Sequence, residues 1–350
     1  MIYLLGYTDM KHTNYWPWSY LCSLFSSLGY ESRHVELGDV EEIKEDDVFI
    51  CWMSPYSEIL VEMRPEASKA TIVQKLTSLD DDCKNISWGK TTDDAFEFYK
   101  SWNWPIHQRF ARMVERGHRC YAFGAKTQYD SFPVKRGIMN KYRERIFEIP
   151  WGSYLWAPDE VANSQPIITD FQYDIGYVGS RWGWSGYGNV DDWDAFLKPL
   201  LDRTDNKFVG GIGTDKNIID SEMHKKILQQ SRLCPIMHCA SWRAERGVMD
   251  RFWTIFSAGR FGVCDNEGVY DFFDENDVVV ETSPESYFEK STYFMKNVDQ
   301  QLPYIESVLV GIKRDYNMGK IWYNIIGTIY RKEISRVQIT GRLAVRGREC

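Results

Sequence analysis

No two of the eight cysteines stand in a CxxC pair, which removes the usual redox and zinc-ribbon spacings. Cys22, Cys51, Cys83, Cys120, Cys234, Cys239, Cys264 and Cys350 fall mostly inside apolar runs, as buried free thiols do. No apolar run approaches the ~20 residues that a bilayer crossing requires, so no membrane span is expected. The opening MIYLLGYTDMK lacks the basic segment followed by an apolar one that marks a secretory signal. A reducing, cytoplasmic setting is the expectation. A GxGxxG turn is missing as well. The balance of 42 basic against 50 acidic residues, a net charge of −8, opposes non-specific binding to nucleic acid or an anionic membrane. It leaves room for a local basic surface.

What the chain has is length and aromatic rings. Its 350 residues suggest two domains, and 43% hydrophobic with 26% charged residues is the composition of an ordinary globular protein. The 14 Trp and 21 Tyr serve cores, and such rings also stack on sugars and bases.

Residues 2–5 read as an apolar strand running into Gly6, 19–28 as a helix ended by Gly29, and 33–37 and 48–52 as two more strands. Strand, loop, helix, strand is how a doubly wound sheet begins, and ligands sit at the C-terminal ends of its strands. The loop 7–18 occupies that position. Asp9 and His12 are its titratable groups, and Tyr15, Trp16 and Trp18 its stacking surfaces. The competing reading makes Asp9 a turn residue and the aromatics a lid over the sheet edge. The polar stretch 79–94, with its Asp80-Asp81-Asp82 run, reads as a solvated acidic loop. A helix follows over 93–116, interrupted near Trp104-Pro105, then a strand at 119–123 and a loop carrying Asp130. Between Arg109 and Arg145 ten basic residues, Lys135 and Arg136 among them, meet only three acidic ones. That is either a phosphate-backbone surface or a solvated helix face.

A strand at 145–149 stops at Pro150-Trp151-Gly152, and the polar, Pro-bearing 156–166 marks the domain boundary. The strand 173–178 opens a second sheet and runs into Gly179-Ser180-Arg181. Four glycines in the ten residues 179–188 let the backbone approach a diphosphate, with Arg181 supplying charge. Asp192 and Asp194 form a DxD, which some transferases use to hold a metal. Here it falls in the first turn of a predicted helix, where carboxylates favour the dipole, so no metal is expected. Cys234, His238 and Cys239 suit a buried strand end better than a tetrahedral zinc site.

The stretch 249–273 organises this half. Phe252, Ile255 and Phe256 share one side of a helix that Gly259 ends, 261–264 reads as a short buried strand, 265–268 as a turn, and 269–273 as the start of another helix. Arg251 stands at the front of the first helix, where a cation and free backbone N–H groups converge on a phosphate. The competing reading is a surface ion pair. A strand at 277–281, helices near 284–295, 302–313 and 320–331, and a basic tail from 336 complete the chain.

With these pieces in order, roughly residues 145–330 resemble the GT-B glycosyltransferases of the CgeB/YkvP-like group. The resemblance rests on YDIGYVGSRWGW, on RFWTIFSAGRFGVCDNEGVYDFF and on the strand followed by Pro-Trp-Gly. In that group a helix of Arg, hydrophobic, Phe, Glu precedes a small-residue turn, an apolar strand and an Asp. Arg251, Phe252, Trp253, Gly259 and Asp265 fit; Thr254 departs, standing where a ribose-binding Glu is usual. The layout is also similar to the phage DNA β-glucosyltransferases, with Gly179-Ser180-Arg181 matching an arginine site and Asp130 nearest to the base.

The resemblance implies an α/β chain of two Rossmann-like doubly wound domains facing across a cleft. Residues 1–155 would bind the acceptor, 170–318 the nucleotide sugar, and 319–350 would form a helix crossing back to the first domain plus a basic tail. Arg181 and Arg251 would neutralise the diphosphate in place of a metal, with Gly179, Ser180, Thr254, Asp265, Glu267 and Gly268 around the donor. Asp130, or else Asp9 with His12 as helper, would take the acceptor proton. Tyr15, Trp16, Trp18, Lys135 and Arg136 would receive the acceptor. The paired-Glu motif of retaining enzymes is missing around 255–262, which leans towards inversion. No tightly bound cofactor is expected, only a nucleotide-diphosphate sugar, foremost a UDP-sugar. Three functions follow: glycosylation of a hydroxymethylated base in phage or viral double-stranded DNA, glycosylation of a surface glycan or cell-envelope acceptor, and sugar-nucleotide binding without catalysis.

Overall fold

Residues 1–6, 8, 15–51, 54–75, 106–124, 137, 140–149, 158–179, 181, 183–184, 187–210, 220–244 and 246–330 are described by the computed structural model. They divide into two compact units, one holding the described residues up to 149 together with 318–330, the other holding 158–317. Among the described residues no helix is long and apolar enough to cross a membrane.

The apolar runs of the first unit become strands of one parallel sheet: β1 (Ile2–Leu5), β2 (Ser32–Val35), β3 (Val48–Cys51), β4 (Thr71–Lys75), β5 (Arg119–Gly124) and β6 (Ile146–Glu148). Their order is β2-β1-β3-β4-β5-β6. After β1 the chain adds β2 on one side and then returns to add β3 on the other. The C-terminal ends of β1 and β3 therefore flank a reversal of strand order, where open α/β sheets bind ligands. β1, β3 and β4 are buried along their whole length. This is why they read as unbroken apolar runs: both faces of the sheet are covered.

Helices α2 (Ser54–Met63) and α3 (Ile106–Glu115) cover one face, where Leu60, Phe110 and Met113 share a core with Phe49, Cys51, Ile72 and Cys120. The last helix of the described chain, Met318–Tyr330, packs on α1 (Tyr15–Ser27). Trp322 presents its ring edge-on to Phe25 and Phe123, with centroids 6.0 and 5.2 Å away, and Tyr330 stacks on Tyr30 at 5.1 Å. α1 begins at Tyr15, four residues before the expected start.

In the second unit β7 (Tyr173–Val178) is central. A small antiparallel pair, β8 (Gly183–Trp184) and β9 (Tyr187–Gly188), follows it. β10 (Lys207–Gly210) and β11 (Ser231–Leu233) then flank β7 in the parallel order β10-β7-β11. The strand expected at 261–264 is a single bridge: Cys264 pairs in parallel with Ile236 on one side and Val280 on the other. The ladder bonds Cys234 N–H to Phe261 O (3.0 Å) and Cys264 N–H to Val279 O (2.9 Å) carry the sheet onward. Here too the chain turns from β10 to the opposite side of β7, so a second reversal lies between β7 and β11.

The helix Asp250–Ser257 ends as its glycine predicts. Gly259 has φ +76°, its N–H bonds to Phe256 O (2.9 Å), and Arg260 N–H bonds to Ile255 O (3.1 Å), a Schellman closure. The expected helix from Val269 is a 3-10 turn, Glu267–Asp271.

Trp322→Ala opens a cavity between α1 and β5. A loss of about 3–5 kcal/mol is expected for a buried Trp, read as a lower denaturation midpoint of the first unit. Burial raises the Cys51 and Cys264 thiols and pushes Cys120 and Cys234 up to about 12. Because the thiolate is the reactive form, iodoacetamide at pH 8 should spare these four in the native protein and modify the half-buried Cys22 ahead of them. Peptide mapping of the labelled protein checks the order.

Candidate functional site

The second reversal of strand order is where a chemically uncommitted cation stands. Arg251 lies in the first turn of the helix Asp250–Ser257. Its guanidinium rests 4.4 Å from the centroid of the Tyr177 ring, on β7, and Nη1 donates to Met237 O (3.0 Å), just beyond β11. Gly179, which follows β7, leaves the space it needs: a Cβ there would lie 2.2 Å from Arg251 Nη2. Arg251 Nε and the Tyr177 hydroxyl are both buried without a hydrogen-bond partner. Burial pushes the Tyr177 phenol up, against the pull of Arg251, and desolvation with the same arginine's charge pushes the His224 imidazole down. Among the described residues no carboxylate pairs with Arg251. A charge so placed favours an anion.

Arg181 is different. It pairs with Asp194 at 2.9 Å, with both side chains close to half exposed (46% and 48%). Such a pair contributes about 0–1 kcal/mol. The surface ion pair that the sequence allowed for Arg251 belongs instead to Arg181.

Beneath Arg251 lies a buried polar network that sequence reasoning missed. Asp265 is fully buried. It accepts from His238 N–H at both oxygens (2.9 and 3.0 Å), from His238 Nδ1 (2.6 Å) and from Arg243 Nη1 (2.8 Å). Arg243 Nη2 donates to Asp192 Oδ1, and Asp192 Oδ2 accepts from Ala240 N–H (3.0 Å). His238 Nε2 accepts from Met249 N–H (3.1 Å), which places the imidazole proton on Nδ1. Asp192 caps the π turn Trp193–Leu197 and Asp194 lies within it; Asp192 faces inward to Arg243 and Asp194 outward to Arg181. His238, Cys264 and Asp265 bring possible metal-ligand atoms within 4.8 Å of one another. Their chemistry suits the hydrogen-bonded arrangement instead: a proton sits between His238 and Asp265, and Cys264 is a strongly raised thiol.

Several expected donor contacts become scaffold. Asp265 serves the network above. Thr254 is 1% exposed, because residues 252–257 are buried all round the helix and only its first turn, at Asp250 and Arg251, meets solvent. Gly268 is buried under Arg246, where a Cβ would meet the carbonyl oxygen at 2.0 Å. Glu267 is exposed, 3.8 Å from Arg246. Ser180 lies outside the described residues.

In the first unit Trp18 is a correction. It is fully buried, since the early start of α1 turns it onto the sheet, and it offers no stacking surface. Tyr15 and Trp16 open α1, with side chains outside the described set, and Asp9, His12, Asp130, Lys135 and Arg136 lie outside the described residues. Of the basic run, three members illustrate where the described residues lie. Arg119 starts β5 at the sheet's N-terminal edge, opposite the ligand edge; Lys141 is bound to Glu115 (2.7 Å), and Arg145 lies over the Tyr121 ring.

No family model matches the chain, and no curated protein matches its sequence. Solved structures do resemble it. An α-glucosyltransferase in complex with UDP and a 13-mer DNA containing an HMU base aligns over 94% of this chain and 99% of its own, with TM-score 0.55 and 11% identity. The DNA-modifying β-glucosyltransferase, solved in the presence and absence of uridine diphosphoglucose, aligns over 95% and 100%, with TM-score 0.55 and 10% identity. A Listeria monocytogenes protein assigned as a UDP-N-acetylglucosamine 2-epimerase aligns over 95% and 97%, with TM-score 0.51 and 9% identity. At such identities the likeness establishes architecture: the chain has the two-unit α/β fold found in GT-B glycosyltransferases, phage β-glucosyltransferase among them.

Proposed function

We propose that the chain is a glycosyltransferase that takes its sugar from a nucleotide diphosphate, UDP foremost, through the second unit, and transfers it to an acceptor hydroxyl presented by the first. The observation that carries this reading is Arg251: a cation without a carboxylate, at the reversal of a parallel sheet and the front of a helix. It would neutralise the diphosphate as the bond from the anomeric carbon to the phosphate oxygen breaks. Arg181 would join it on leaving Asp194. The neighbours' UDP and uridine diphosphoglucose complexes support the choice of donor, and the Arg251-to-Asp265 motif supports a place near the CgeB/YkvP-like group.

For the acceptor side, Asp130 comes after β5 in the chain and Asp9 after β1. One of them, Asp130 first and Asp9 second with His12 as helper, would take the hydroxyl proton while the oxygen attacks the sugar. With both DxD carboxylates engaged by arginines and no paired-Glu motif, the reaction is proposed to be metal-independent and inverting. A hydroxymethylated base in DNA is the acceptor favoured, because one neighbour is solved on DNA with an HMU base. Lys135 and Arg136 would then meet the phosphates, and Tyr15 and Trp16 the base. The net charge of −8 favours the second reading, a surface-glycan acceptor. The cytoplasm is the proposed setting.

Calorimetry with UDP tests the donor site. Arg251→Ala should weaken binding at least tenfold, about 1.4 kcal/mol or more, with the fold retained. Gly179→Ala should act in the same direction by displacing the guanidinium. Unchanged affinity in Arg251→Ala sinks the assignment. Incubation with a nucleotide-sugar panel and hydroxymethylated DNA decides the acceptor. Transfer that falls steeply with salt is expected. Donor hydrolysis without transfer to DNA favours a glycan acceptor, and binding without turnover a non-catalytic protein.

A further inference from the structure

Among the described residues Arg251 has no carboxylate to hold it; besides the Tyr177 ring, its position depends on two backbone features: the Met237 carbonyl that accepts from Nη1, and the start of the helix that carries it. Both are set by the His238–Asp265 pair. His238 follows Met237 directly, and its Nε2 accepts from the N–H of Met249, the N-cap residue of that helix. Met249 offers no side-chain cap of its own, so the imidazole supplies an acceptor from outside the helix to one of the N–H groups a helix start leaves free. The imidazole can do so only while Nδ1 carries the proton, and Asp265 keeps it there at 2.6 Å. The same carboxylate grips the His238 N–H with both oxygens, which holds the Met237 carbonyl in place one residue earlier.

We infer that His238 and Asp265 are positioning residues for Arg251: the pair aligns the Met237 carbonyl and the helix start so that the guanidinium meets the donor diphosphate. This inference rests on the donor-site reading above. Arg243 and Asp192 extend the arrangement by fixing the second Asp265 oxygen. A purely structural role for His238 would require only that both its nitrogens be satisfied. The positioning role is more specific, because it depends on the acceptor at Nε2.

Two amide replacements separate the nitrogens. In His238→Asn the side-chain amide reaches the Nδ1 position, keeping a donor for Asp265 and losing the acceptor for Met249. In His238→Gln it reaches the Nε2 position and keeps that acceptor. Two readouts apply: UDP affinity, and the NMR signal of the Arg251 Nε–H, identified by its loss in Arg251→Lys and recorded without ligand. His238→Asn should weaken UDP binding at least tenfold and shift or broaden the Arg251 signal. His238→Gln should stay within threefold of the parent and leave the signal in place. Melting temperatures establish that the variants are folded, and Asp265→Asn, expected to behave as His238→Asn, replaces the latter should it fail to fold. The inference is overturned if His238→Asn leaves both affinity and signal unchanged, or if a folded His238→Gln is as damaging as His238→Asn. If His238→Asn moves the Arg251 signal while Arg251→Ala binds UDP normally, the positioning stands and the donor-site reading falls.

Discussion

A carboxylate shut away from solvent must be answered by donors, and in the second unit that requirement falls on Asp265. Burying an ionised group without partners is among the largest penalties a fold can carry. Asp265 meets it with the backbone N–H and Nδ1 of His238 and with Nη1 of Arg243. Each bond constrains a different piece of chain: the segment after β11, the helix Ala240–Ala244, and through Asp192 the π turn after β9. Three sequence-distant segments, at Asp192, His238–Arg243 and Asp265, thus meet around one carboxylate. The first turn of the helix Asp250–Ser257 takes its place from that meeting.

Above this framework the electrostatics are asymmetric. Arg181 has Asp194, Arg243 has Asp192 and Asp265, and Arg246 has Asp271; among the described residues of this unit Arg251 and the fully buried Arg260 have no carboxylate. Arg251 has an aromatic face and a carbonyl instead. Those contacts orient a guanidinium without neutralising it. Its location at the break in strand order, where the ends of β7 and β11 part, is the place a parallel sheet leaves open to a ligand. Both sheets show the same break.

Much of the architecture was readable from local pattern. The apolar runs at 2–5, 48–51 and 173–178 became parallel strands, and Gly259 closed its helix with the left-handed φ that glycine permits. Arg251 at the helix front was legible for the same reason. Other readings failed where tertiary packing overrode local signal. Trp18 looked like part of an aromatic loop because Pro17 and the polar residues before it resemble one; α1 starts earlier, and the sheet buries the ring. Thr254 stood where the motif has a ribose-binding Glu, yet residues 252–257 are buried all round their helix. His238 looked like the end of a buried strand, with nothing nearby in the chain to reveal its partner.

The sequence alone determined the class of fold, the approximate place of most strands, and the presence of one arginine in the turn after β7 and another at a helix front. These are consequences of periodicity, glycine conformational freedom and side-chain type, which act over a few residues. Only the tertiary structure decided which arginine is neutralised and which is not. Asp265 lies 27 residues from His238, and Asp192 lies 51 from Arg243. Charge pairing acts through space, and a free cation is recognisable only once every carboxylate that reaches its neighbourhood has been brought there by folding.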